Sequence, residues 1–120
     1  MLLTCGFDLL EMLDQFLLEY ATDRTELLED GRIHVVLVGT GGPVANERRI
    51  SQCIAVMAGG EFLLVDAGPN SARRASLLRL PGAHLSGVLL THYHSDHIGD
   101  LGEINTQSWM DGRTASLEVF

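Results

Sequence analysis

His92, His94, Asp96 and His97 stand in the string H-x-H-x-D-H, which gathers three of the chain's five histidines into six positions. Multiplying ordinary residue frequencies over every starting position puts such a string below about one in a thousand for a chain this long. Imidazole nitrogen and carboxylate oxygen are donors that zinc, iron and manganese accept. Side chains alternate along an extended segment, so His92 and His94 face the same way if a strand ends here. A helical turn starting next would swing Asp96 and His97 toward a neighbouring position. One short loop can thus offer two ligands to each of two adjacent metals. Such a pair can share a hydroxide and clamp the attacked and leaving oxygens of an ester or phosphodiester. His34 and His84 each stand alone and read as surface or packing residues.

A loop of this kind needs elements that deliver it. The apolar run 88–90 reads as a strand ending at the motif, and 98–109 as the helix that follows, despite Gly99 and Gly102. Upstream, 33–38 is a nearly continuous apolar strand running into the loop Gly39-Thr40-Gly41-Gly42-Pro43. Two more strands are expected at 50–57 and 62–65, joined through Gly59-Gly60 as a hairpin. Asp66-Ala67-Gly68-Pro69 ends the latter. Ser71 is the expected cap of a helix carrying Ala72, Ala75, Leu77, Leu78 and Leu80, stopped by Pro81-Gly82. The segment 117–120 reads as a strand just begun.

At the N-terminus, Leu9, Leu13, Phe16, Leu17 and Tyr20 recur at helical spacing opposite Asp8, Glu11, Asp14, Gln15 and Glu19. An acidic amphipathic helix is expected, with Asp8 and Glu11 as a capping box and the Leu stripe packed on a neighbour. Thr25 to Asp30 would add a turn stopped by Gly31 in a left-handed conformation. The domain reading is therefore an acidic helical segment over 1–31 and an α/β unit over 32–120.

The 120 residues hold 16 acidic and 8 basic side chains, a net charge of -8, and every basic residue is Arg. Half of the acids lie in the first 30 residues, where Arg24 is the single base, so the remainder is nearly balanced. A nonspecific polyanion binder is excluded on that balance. Cys5 and Cys53 are far apart and form no C-x-x-C pair, so reduced thiols are expected. No apolar run approaches the roughly 20 residues of a membrane span. With no signal-peptide pattern at the start, cytoplasmic residence follows by elimination.

The motif Thr91-His92-Tyr93-His94-Ser95-Asp96-His97-Ile98-Gly99-Asp100 resembles the hallmark of the metallo-β-lactamase superfamily. The run Val35 to Pro43 and the run Phe62 to Gly68 fit the same order. Gly39-Thr40-Gly41 with Arg48-Arg49 downstream resembles most the ribonuclease Z and arylsulfatase-like branch. The resemblance covers about residues 32–120. It implies the N-terminal half of an αββα sandwich, a mixed sheet with flanking helices and the metals at one edge. It implies that His92 and His94 bind a first metal and Asp96 and His97 a second, two divalent ions with zinc the first expectation. Asp66 would orient a ligand histidine, and Asp100 would cap or support the following helix. Complete members carry a further histidine for each metal and a bridging Asp, and no histidine follows His97 in this chain. The chain thus reads as the first half of a hydrolase, with apolar surface and unpaired backbone left at the missing strands.

The leading expectation is a hydrolase in which a metal-bound hydroxide attacks a phosphodiester or other ester. Asp96 is then ligand and proton acceptor, and the substrate is a small-molecule or nucleic-acid ester. A nucleotide-binding module is the second reading, because Gly39-x-Gly41 follows a strand. Val44 stands where that fingerprint needs Gly or Ala. The third is a noncatalytic half-domain that pairs with a partner or as a homo-oligomer through its acidic helix and sheet edge.

Overall fold

The computed structural model describes residues 9–120. Helix α1 (Leu9–Ala21) and the single turn α2 (Glu26–Glu29) precede strand β1 (His34–Gly39). Strands β2 (Cys53–Ala58) and β3 (Glu61–Val65) follow, then helix α3 (Ser71–Leu77), a 3-10 turn (Gly82–His84) and strand β4 (Leu85–Leu89). The short turn α4 (Ser95–Ile98), helix α5 (Leu101–Met110) and strand β5 (Glu118–Val119) complete the order.

The strands form one sheet in sequence order, β1-β2-β3-β4-β5. The first three are antiparallel and the last two parallel, so the sheet is mixed. Gly59 and Gly60 sit at φ 58° and 88° between the paired Ala58 and Glu61, the left-handed backbone a two-residue hairpin requires. Gly31 has φ 73° and ends the α2 turn as expected. The crossover from β3 to the parallel β4 runs through α3, which places helices against one side of the sheet.

Alternation sorts the strand residues into two faces. Cys53, Ala55 and Met57 from β2, Phe62 and Leu64 from β3, and Leu85 from β4 are buried, packed with Leu28, Ala72, Leu80 and Ile104 from the helical layer. The opposite face is also apolar. Val35 and Leu37 pair with Val56 and Ile54, those with Leu63 and Val65, and the latter with Gly87 and Leu89. Val35 and Leu37 are 61% and 62% exposed, and Phe120 beside β4 is 66% exposed. An α layer on one side of a mixed sheet and a bare apolar face on the other is the architecture expected for one half of an αββα sandwich.

Several local expectations are corrected. The helix foreseen over 98–109 is two elements, because Gly99 and Asp100 separate the turn α4 from α5. Ser71 is inside α3 and Asn70, at φ 70°, holds the cap position without a side-chain bond. The first-turn amide of Ala72 instead donates to the Asp100 carboxylate at 2.8 Å, from 28 residues away. The packing expected for the Leu stripe of α1 is not seen among the described residues, where Leu9, Leu13 and Leu17 are exposed. Asp8 of the expected capping box lies outside the described residues. No helix among the described residues is long and apolar enough to cross a membrane.

Candidate metal centre

The motif loop leaves the sheet at the C-terminal end of β4, next to the end of β3. These strands are parallel, and Val65 lies opposite Leu89. The chain continues their ladder for one more bond, from the Asp66 amide to the Leu89 carbonyl at 2.8 Å. Asp66 then turns with φ 61°, a left-handed conformation that Asp tolerates better than most residues. Its carboxylate, buried at 4% exposure, faces the first residues of the motif loop.

Three groups converge on that carboxylate. The Thr91 amide donates to Oδ1 at 2.9 Å, the Thr91 hydroxyl lies 3.0 and 2.9 Å from the two oxygens, and His97 Nδ1 lies 2.8 Å from Oδ2. Burial alone would push the Asp66 carboxyl up. The Thr91 amide bond, then the His97 and Thr91 side-chain bonds, outweigh it and hold the carboxyl below its ordinary range. Asp66 is therefore an anion at neutral pH, as the role of orienting a histidine requires.

His94 has extended backbone and the helical turn begins at Ser95, the change from extended to helical that the spacing suggested at this point. His92, His94 and Tyr93 are exposed, while His97 is buried at 6% exposure. The rings are brought together: His92 lies 4.6 Å from His94 and 3.9 Å from His97, centroid to centroid. Asp96 Oδ2 is 3.5 Å from His97 Nε2. Among the described residues no three His, Cys, Asp or Glu donors stand in an arrangement that holds a metal ion. The donor chemistry nonetheless fits a divalent cation. His97 gives its Nδ1 proton to Asp66, which leaves the Nε2 lone pair directed toward Asp96, the pattern of a metal-binding imidazole braced by a carboxylate. The four side chains share one loop, with His92 and His94 exposed, Asp96 half-buried and His97 buried.

Close backbone approach locks this loop to the rest of the site edge. The Ala67 amide donates to the His97 carbonyl at 2.6 Å, and the Asp100 amide donates to the Ala67 carbonyl at 2.9 Å. On the other side, the Gly68 amide donates to the Gln52 carbonyl at 3.0 Å. Gly68 lies between Asp96 and the Ser51-Gln52 pair so closely that a side chain there would meet the Asp96 carbonyl and the Ser51 Cβ. The loop 40–50 closes at Ser51, through a Gly41–Ser51 bridge and a 2.7 Å bond from the Gly41 amide to the Ile50 carbonyl. Arg48 and Arg49, whose amides both donate to the Asn46 side chain, are exposed on its returning limb. The glycines of this loop thus serve a tight return of the chain, with the Ser51 carbonyl directly over Gly39. No helix follows them, and the strand-loop-helix context of a dinucleotide fingerprint is absent from this loop.

The isolated histidines are elsewhere, as their isolation suggested. His34 pairs with Asp30 at 2.8 Å and His84 belongs to the 3-10 turn. Sequence reasoning missed Thr91 as the residue that joins Asp66 to two histidines, although its place directly before His92 was a signal. It also missed the reach of Asp100 to α3, for which the sequence holds no local signal. A cavity of about 580 Å³, lined by Asp23, Arg73 and Asp111 among others, takes in none of the motif residues. The motif loop lies instead at the ends of β3 and β4.

Residues 46–119 match the family model described as the metallo-beta-lactamase superfamily. A ribonuclease Z of Mycobacterium avium is 44% identical over 78 residues, which cover 65% of this chain and 28% of that protein. One from Mycolicibacterium gilvum is 42% identical over 85 residues, 71% of this chain and 30% of that protein. The chain therefore spans less than a third of the length of these relatives. Among solved structures, the metallo-beta-lactamase fold protein YhfI of Bacillus subtilis superposes with a TM-score of 0.62 at 25% identity, covering 72% of this chain and 35% of YhfI. The short form of human tRNase Z superposes with a TM-score of 0.60 at 22% identity, covering 66% of this chain and 30% of that one.

Proposed function

The chain belongs to the metallo-beta-lactamase superfamily, and from that premise we propose that it carries the first group of metal-holding side chains of a metal-dependent hydrolase acting on phosphodiesters of nucleic acid. His92 and His94 would hold one divalent ion and Asp96 and His97 a second, with zinc the first choice for a mainly imidazole set and iron or manganese accepted by the same donors. Ions so held supply Lewis acidity toward a phosphoryl oxygen and lower the pKa of water toward neutrality. Everything else is done by the chain. Asp66 fixes the His97 ring and its proton at Nδ1, which leaves Nε2, on the Asp96 side of the ring, as the donor atom. Asp96, beside that nitrogen, is the carboxylate placed to accept a proton. The backbone bonds that tie Ala67 and Gly68 to Gln52, His97 and Asp100 keep the loop at a fixed distance from the neighbouring loop.

The observation that carries this reading is the bond from His97 Nδ1 to a buried, ionised Asp66. A histidine on a solvated turn has no need of such a partner. Arg48 and Arg49, exposed on the adjoining loop, favour a phosphodiester over an uncharged ester, since guanidinium groups pair with phosphate oxygens. The likeness to ribonucleases Z supports the same substrate class.

The test is hydrolysis of bis(p-nitrophenyl) phosphate and of a short RNA, with Zn²⁺ or Mn²⁺, by the protein expressed from its native reading frame. His94→Ala and Asp96→Ala should each abolish turnover while the circular dichroism spectrum is kept. Near-normal turnover in either variant sinks the assignment. For the 120-residue chain alone, two donors per ion predict weak Zn²⁺ binding. Tight uptake of two ions would show that this loop does not leave its ions half-coordinated.

A further inference from the structure

Thr91 makes more contacts around the motif than its position just outside H-x-H-x-D-H suggests. Its hydroxyl oxygen is 2.9 and 3.0 Å from the Asp66 carboxylate oxygens and 3.0 Å from His92 Nδ1. It is also 3.4 Å from His97 Nδ1, which has a shorter partner of its own in Asp66 at 2.8 Å. A hydroxyl has one proton to give and two lone pairs to receive with. The carboxylate can only accept, and a bond to an anion is about twice as strong as one between neutral groups. The Thr91 proton therefore goes to Asp66. The contact with His92 then forms only if the imidazole is the donor, with its proton on Nδ1.

We propose that Thr91 is a positioning residue that passes the orienting effect of Asp66 on to His92. The relay runs from His92 Nδ1–H to the Thr91 hydroxyl and from that hydroxyl to the Asp66 carboxylate, which also accepts from His97 Nδ1–H. One buried anion thus sets the proton position of two histidines, His97 directly and His92 through Thr91. Both rings are left with an Nε2 lone pair free for a ligand. His94 takes part in no such bond among those the described residues show, and its ring is held only by its edge contact with His92. The arrangement follows from the parallel pairing of β3 and β4: with Val65 opposite Leu89, Asp66 and Thr91 leave the adjacent ends of the two strands one and two residues past that pair. The consequence for metal binding rests on the function proposed above; the proton positions do not.

The experiment is long-range ¹H–¹⁵N correlation of the imidazoles in the metal-free full chain at alkaline pH, where the rings are neutral. His92→Gln serves to assign the His92 signals. The wild-type chain should show His92 as the Nδ1–H tautomer. Thr91→Val removes the hydroxyl at nearly the same volume and should move His92 toward the Nε2–H form. Thr91→Ser should keep the wild-type pattern, and His97 should stay Nδ1–H in all three. A wild-type His92 that is Nε2–H overturns the relay whether or not the Val variant folds. So does a Val variant whose His92 pattern is unchanged. A Zn²⁺ titration by calorimetry reads the consequence: the Val substitution should weaken binding by about 10-fold or more and the Ser substitution should not. If wild type shows the expected tautomers and the protein expressed from its native reading frame binds no Zn²⁺, the relay stands and the metal-dependent function falls.

Discussion

Gly68 sits where two loops meet, and replacing it tests whether their close approach organises the motif. Its φ is not in the left-handed region, so the requirement is space and not backbone conformation. A Cβ built there meets the Asp96 carbonyl, the Ser51 Cβ at 2.5 Å and the Gln52 amide nitrogen at 2.9 Å. Two of the three are backbone atoms and the third is the root of a side chain, so none can swing aside. Ordinary contact begins near 3.4 Å, and the loops must part by about an ångström. Overpacking of this kind costs about 1–3 kcal/mol. Gly102 supplies the control. It lies in the first turn of α5 with nothing within 4 Å of a built Cβ, so Gly102→Ala should stabilise by up to about 1 kcal/mol through helix propensity. The same chemical change at two sites is thus expected to differ by about 1–4 kcal/mol, on the order of 5–20 °C in melting temperature for a domain of this size. Urea denaturation followed by circular dichroism measures both. The Gly68 variant should also bind Zn²⁺ more weakly, because the displaced Asp96 backbone carries the α4 turn with it. Equal stability of the two variants would show that the loops are not held at the separation described.

Three further outcomes follow from the same structure. Burial, reinforced by the nearby Asp66 and Asp100 carboxylates, pushes the Cys53 thiol up to about 12, so iodoacetamide should leave Cys53 unmodified in the native chain and label it in denaturant, as peptide mass mapping reads. Asp100→Ala removes the acceptor of the Ala72 amide and should cost about 1 kcal/mol, while Asp100→Asn, which keeps a side-chain oxygen, should cost less in the same denaturation assay. Burial and then the charge of Asp23 raise the Asp111 carboxyl, so its ionised form opposes folding and stability falls as pH rises from 3.8, the unfolded value, through the raised folded one. Asp111→Asn should therefore raise the melting temperature slightly at pH 7, by less than about 1 kcal/mol for a group this open to solvent, and leave it unchanged below pH 3; a gain of the same size at both pH values would refute the sign.

What the sequence disclosed and what it hid divide along the range of the interactions. The motif loop was legible because its meaning is local: the spacing of His92, His94, Asp96 and His97 states the extended-then-helical path, and the chain follows it. The hairpin at Gly59-Gly60 was legible for the same reason. The bonds that fix the loop in place were not. Asp100 reaches 28 residues back to Ala72, and Asp66 reaches 25 residues forward to Thr91, and no periodicity marks either partner. Burial was half legible. The apolar runs marked the strands, but apolar character on both sides of them does not say which side is covered: Ala55 and Met57 are buried, Ile54 and Val56 half-buried, and Val35 and Leu37 exposed. A strand apolar on both sides reports that both faces are meant to be covered, without stating by what. The same reasoning explains the α1 stripe, where helical spacing of Leu9, Leu13 and Leu17 defines a face and supplies no partner for it. Pattern in a sequence therefore fixes which surfaces an element presents, while their occupants, like the partners of Asp66 and Asp100, are fixed only by which distant residues the topology brings alongside.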